Sequence, residues 1–150
     1  MTPLPCAIAP YVPQQGAMCL LDRLLAVDET SLSASVDPAT NRLFHSDGAV
    51  PGWVALEWLA QGVAAWAGWH AARHGATPAV GFLVGTRRFT SHRPAFPVDR
   101  ALRVQVTRDF VADNGLAHFA GRVLAADDDT LLAEGRLTIF QPADEEATHA

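Results

Sequence analysis

The chain has 150 residues, 49% of them hydrophobic and 18% charged, with a formal net charge of −5. That length suits a single domain with a real core, and the acidic balance argues against general nucleic-acid binding. Cys6 and Cys19 form neither a metal spacing nor a disulfide framework, which fits a reducing cytoplasm.

Met1 to Pro13 holds four prolines and reads as an irregular arm that turns helical only briefly. No charged n-region followed by an apolar h-region opens the chain, so no signal peptide is expected. Met18 to Val27 reads as a short helix or a strand, and the turn and alternation that follow favour the strand. Asp28-Glu29-Thr30 is then a turn, and Ser31 to Val36 alternates Leu32, Ala34 and Val36 against serines. The pair is a hairpin with one wet face. Asp37 to Phe44 is a loop.

Trp53 to His74 is predicted as one helix, roughly 33 Å long, buried on most sides. Between Asp47 and Arg73 the only formal charge is Glu57. The length would span a membrane. Glu57, Gln61 and the many Ala and Gly residues exclude that reading, because a Glu in a buried helix is costly unless paired or used. Gly75 is placed to stop the helix, with Arg73 and His74 favourable at its negative end.

Three or four strands follow. Val80 to Phe89 is the first. Ala101 to Val111 and Ala117 to Val123 alternate around a hairpin turn at Asp113-Asn114-Gly115. Asp127-Asp128-Asp129 turns into a last strand, Leu131 to Ile139. The tail 142–150 is acidic and expected to be disordered. The order gives an α+β fold: an antiparallel sheet curved around one long helix. Such a sheet has an edge to manage, and pairing two sheets in a dimer is one solution.

Chemistry gathers before and inside the helix. Pro51 and Gly52 open it, so free N–H groups and the positive dipole end would face an incoming carbonyl oxygen. Glu57 and Gln61 are four apart and share a face, so Gln61 can orient the carboxyl. His45 lies on the preceding loop and carries an imidazole suited to proton transfer. Taken singly, each has a bland reading: a loop histidine, a dipole-facing acid, a common Pro-Gly pair. Their conjunction is what points to a site.

The run PGWVALEWLAQ resembles the helix start of the hotdog-fold 3-hydroxyacyl-acyl carrier protein dehydratases, whose pattern is H-F-P-G-x-P-V-M-P-G, an apolar run, then E-A-x-A-Q. Pro51-Gly52 match the second P-G, Glu57 stands at the same offset, and Ala60-Gln61 match the A-Q. Leu20 to Leu24 (LLDRL) resembles the family's L-L-V-D-R-V. The likeness is strongest to a divergent branch found with aryl polyene and xanthomonadin pigment clusters, marked by Trp66 to His70 and Gly81 to Arg87. It covers about residues 10–141 of one hotdog domain.

The resemblance implies dehydration of 3-hydroxyacyl thioesters to trans-2-enoyl thioesters in a fatty-acid-like or polyene pathway. His45 would remove the α-proton. Glu57, held by Gln61, would protonate or hold the departing hydroxyl, and the Gly52 N–H would polarise the thioester carbonyl. The acyl group arrives on the phosphopantetheine arm of an acyl carrier protein, with no metal or organic cofactor. The two groups come from opposite subunits, so the active unit is a homodimer or a heterodimer with another hotdog protein.

The chain departs from the pattern between His45 and Pro51, where Ser46 to Val50 is two residues shorter and the H-F-P-G cluster is absent. Asp47 is therefore a second candidate for the base. A hotdog thioesterase using Glu57 and a non-catalytic partner subunit are the rival readings. Arg87, Arg88 and Arg93 form a basic cluster after the presumed third strand, suited to an acidic carrier and its phosphate or else simply solvated. His70 and His74 have metal-like spacing without a third ligand, and His92 and His118 read as surface residues. The four tryptophans read as core and dimer packing. Ser91 and Cys19 lack a base partner.

Overall fold

A computed structural model of the chain describes residues 3–75 and 82–140. Nine strands and one α-helix follow in chain order among these residues: β1 (Cys6–Ala7), β2 (Arg23–Val27), β3 (Ser31–Val36), β4 (Ala49–Pro51), α1 (Val54–Arg73), β5 (Phe82–Ser91), β6 (Ala95–Pro97), β7 (Leu102–Val111), β8 (Leu116–Ala125) and β9 (Leu131–Phe140). Seven strands form one antiparallel sheet in the order β1-β2-β3-β7-β8-β9-β5, and β4 pairs with β6 apart from it. The sheet wraps one helix, the α+β hotdog arrangement.

The alternation in β3 and β7 decides the register. Leu32, Ala34 and Val36 stand opposite Val106, Val104 and Leu102, and all six are buried. That face meets α1. The approach is close because the helix offers small residues: a Cβ added to Gly62 would lie 3.2 Å from Val106 and 3.3 Å from Val104. Gly121 of β8 is hollow for the same reason, since a Cβ there would press on the Leu59 side chain at 2.9 Å. Trp58, Leu59 and Phe96 are fully buried between these layers. Burial of one such side chain stabilises the fold by about 1.5–3 kcal/mol.

Trp53 and His74 bound the helix, one residue outside the helical run at each end, so the predicted limits were nearly right. Gly75 adopts a φ of +65°, the left-handed stop that glycine takes readily. The Asp113–Gly115 and Asp127–Asp129 turns also stand where they were read, with Gly115 and Asp129 at positive φ.

Several expectations change. The strand at Met18 begins only at Arg23, and Gly16–Met18 is a 3-10 turn. Asp37 caps a further 3-10 turn, Pro38–Thr40, inside the predicted loop by accepting from the Ala39 N–H at 3.1 Å. The arm contains the short edge strand β1. The β4–β6 ribbon was not foreseen, because three-residue strands carry no period. Pro51 ends β4 instead of sitting in the first helical turn. Val80, Gly81 and the acidic tail lie outside the described residues.

Candidate active site

Gln61 is fully buried and sits at the centre of the site. Its Nε2 donates to the Met18 carbonyl at 2.8 Å and to Glu57 Oε1 at 3.1 Å. Its Oε1 accepts from the Leu20 N–H at 2.9 Å. One amide therefore ties the helix to the 18–20 segment and turns the Glu57 carboxylate toward a fixed direction. Spending both amide ends on backbone leaves no freedom for the side chain to flip.

A second knot joins the same segment to the loop of His45. Asn41, also fully buried, donates through Nδ2 to the Leu20 carbonyl at 3.0 Å and accepts from Trp58 Nε1 at 2.6 Å. The Asn41 backbone carbonyl accepts from the N–H groups of Phe44 and His45, at 3.0 and 3.1 Å. An unbroken relay thus runs from the His45 backbone through Asn41, Leu20 and Gln61 to Glu57. Asn41 and Trp58 were not singled out in the sequence. A buried asparagine has no sequence signature, and Trp58 read as plain core.

His45 itself is exposed, and its side chain makes no hydrogen bond among the described residues. The shortened loop after it is a tight turn. Ser46 and Ala49 exchange backbone hydrogen bonds at 2.9 and 3.1 Å, with Asp47 and Gly48 both at positive φ. Asp-Gly is a pair that such a turn demands, so Asp47 has a backbone reason to be there. No side-chain hydrogen bond joins His45 to Glu57 within the chain, among the described residues.

Gly52 needs correction. Its N–H donates to the Pro94 carbonyl at 2.9 Å, so it is not free to polarise a substrate. A Cβ at Gly52 would lie 2.5 Å from both the Arg93 carbonyl and Ser91 Oγ. Glycine is thus required for the close approach of the 91–94 turn. The donors at the helix start that make no backbone hydrogen bond among the described residues are those of Trp53 and Val54.

The basic cluster is also divided. Arg87 and Arg88 lie within β5, not after it, and Arg93 lies in the turn beside Gly52. All three are exposed. Ser91 donates to the Arg93 carbonyl at 2.5 Å, and His92 pairs with Glu134 at 2.9 Å. Half-buried His118 meets Thr138 Oγ1 at 3.1 Å. His70 binds the Asp28 carbonyl at 2.8 Å, and no metal-holding group occurs among the described residues. Burial pushes the Cys19 thiol up, against a nucleophile.

Trp58, Trp66 and Trp69 are buried, whereas Trp53 is 64% exposed and meets Phe44 edge-on at 5.8 Å. Leu43 (56%) and Met18 (46%) are exposed on segments that belong to the same relay. No helix among the described residues is long and apolar enough to cross a membrane.

No curated protein matches the chain. Among solved structures, a chain of the dehydratase heterocomplex ApeI:P from Xenorhabdus doucetiae matches with a TM-score of 0.82 at 27% identity, over 99% of this chain and 97% of that one. Zebra fish thioesterase superfamily member 2 matches at 0.66 and 12%, over 89% and 92% of the two chains. A hypothetical thioesterase with coenzyme A from Streptococcus pneumoniae matches at 0.61 and 9%, over 80% and 87%. The last two share the hotdog fold alone. The family described as ApeP-like, ApeP dehydratase, matches residues 6–150, and the chain belongs to that family of dehydratases.

Proposed function

We propose that this chain works in the dehydration of 3-hydroxyacyl thioesters on the phosphopantetheine arm of an acyl carrier protein, in a fatty-acid-like or polyene pathway. The observation that carries the reading is the grip of Gln61 on Glu57 at 3.1 Å, with both ends of the amide anchored to backbone. A carboxyl held this way meets a departing hydroxyl without first having to reorganise.

The steps balance simply. His45 takes the α-proton, the electron pair forms the C2–C3 double bond, and the C3–O bond breaks as Glu57 gives the oxygen a proton. Water and the trans-2-enoyl thioester leave. The thioester carbonyl is received at the helix start by the N–H groups of Trp53 and Val54, in place of the engaged Gly52 N–H. Arg93, beside the helix start, takes the arm's phosphate. The chemistry needs no metal and no organic cofactor.

No side-chain hydrogen bond joins His45 to Glu57 in the single chain among the described residues. The site is therefore shared with a second hotdog chain, whose own groups complete each pair. The structural likeness to a dehydratase heterocomplex supports a partner of this kind. In a second reading His45 is idle and the chain serves as a partner subunit. The exposure of His45 on its tight turn favours that reading.

Mass spectrometry of a 3-hydroxyacyl-carrier protein incubated with the complex tests the proposal. Loss of one water by wild type and not by Glu57→Gln supports it. Release of a free acid instead of water identifies a thioesterase and overturns it.

A further inference from the structure

Trp53 stands on a fixed piece of backbone. The N–H of its neighbour Gly52 is held by the Pro94 carbonyl at 2.9 Å, and its own carbonyl accepts from the Leu56 N–H at 3.2 Å. Its φ of −65° and ψ of −21° are already helical, and its side chain makes no cap hydrogen bond. The helix therefore has no need of this ring. Tryptophan is highly buried on average, yet Trp53 is the most exposed large hydrophobic side chain among the described residues.

The ring has one aromatic neighbour among the described residues. Phe44 meets it with centroids 5.8 Å apart and planes at 89°, the edge-to-face arrangement that aromatic pairs prefer. Phe44 is half-buried and packs on the core from its other side, so it is clamped between the core and Trp53. The next residue is His45, whose side chain makes no hydrogen bond of its own among the described residues. The backbone hold on this stretch is the Asn41 carbonyl, shared by the N–H groups of Phe44 and His45. A single shared acceptor is a pivot. The loop is next paired into strand only at Ala49 of β4, beyond the tight turn. The contact of Phe44 with Trp53 supplies the second point that fixes the direction of the loop.

We propose that the Trp53 side chain is a positioning residue: through Phe44 it holds the His45 loop against the helix start. It touches no reacting atom. The proposal rests on the reading that His45 takes the α-proton, and it names the group that aims this base. The cost of showing a large apolar ring to water is then borne for the site and not for the fold.

Amide hydrogen exchange on the full chain tests the hold directly. Trp53→Ala should quicken exchange at Phe44 and His45 about tenfold, while the amides of α1 keep their wild-type protection. Trp53→Phe retains an edge-on partner and should exchange as wild type does. In water-loss turnover by the complex, Trp53→Ala should lose about 10–100-fold in kcat with KM within about twofold of wild type. Phe44→Ala should lose as much, and the double variant no more than either single one, because the two rings act as a unit. Trp53→Phe should recover kcat. A higher KM with kcat intact would make Trp53 a substrate contact and overturn the proposal. Additive losses, or unchanged exchange at His45 in Trp53→Ala, would do the same. So would loss of the complex in native mass spectrometry, which would make Trp53 an assembly residue. If wild type releases no water, the dehydratase reading fails, and exchange at His45 still judges whether Trp53 holds the loop.

Discussion

Gln61 holds Glu57 from one helical turn away, at 3.1 Å, and is itself held by the Met18 carbonyl and the Leu20 N–H. Replacing Gln61 by Leu keeps the volume and strands the buried Leu20 N–H and the half-buried Met18 carbonyl. Stability should fall by about 2–4 kcal/mol in urea unfolding, and kcat should fall with it because the carboxyl loses its orientation. Gln61→Glu keeps the acceptor for the Leu20 N–H but sets a second carboxyl against Glu57 and the Met18 carbonyl, so it should cost at least as much stability. Equal stability for Gln61→Leu and wild type would show that the relay does not hold the segment.

Trp58→Phe removes the 2.6 Å bond to Asn41 Oδ1 and leaves a buried acceptor without its donor. The expected loss is about 1–3 kcal/mol in a chemical melt. Amide exchange should also quicken at Phe44 and His45, whose N–H groups rest on the Asn41 carbonyl. Unchanged exchange there would separate Trp58 from the His45 loop.

Gly52→Ala should destabilise by about 1–3 kcal/mol, because the new Cβ meets the Arg93 carbonyl at 2.5 Å and backbone cannot step aside. Adding Ser91→Ala removes the hydroxyl contact and not the carbonyl one, so the double variant should recover little in a thermal melt. Full recovery would mean that the serine alone sets the requirement for glycine.

Much of this fold was legible. The long helix carries one acid in an apolar run, and its ends are marked by Pro-Gly and Gly75. The period-two strands β3, β7, β8 and β9 bury one face and show it. The Glu57–Gln61 pair followed from helix spacing alone. What escaped was non-local. The Gly52 N–H looked free because nothing in the sequence brings Pro94 to it, and Asn41 looked like loop because its partners are 17 and 21 positions away. Arg87 and Arg88 were grouped with Arg93 by closeness in sequence, although they fall inside the predicted strand 80–89 and on β5, while Arg93 lies in the turn beyond it.

Two turns contribute to the acid limb of stability. Thr30 and Ser31 donors hold the Asp28 carboxyl below its ordinary value of 3.8, chiefly through the Thr30 N–H. The Thr130 hydroxyl and N–H do the same for Asp128. A group whose folded value is depressed adds stability above its unfolded value and loses it as pH falls through the folded one. Urea midpoints should therefore drop as pH falls below about 4, and Asp28→Asn with Asp128→Asn should flatten that drop. An unaltered acid slope would place its origin elsewhere.

The most direct measurement is turnover of a 3-hydroxyacyl-carrier protein, read as the mass loss of one water, by the complex carrying wild type, His45→Ala or Glu57→Gln. Wild type should dehydrate the substrate, and each variant should lose about 10²–10⁴-fold in kcat while remaining folded. Full activity in the Glu57→Gln complex, or no water loss by wild type on any chain length, would contradict the account.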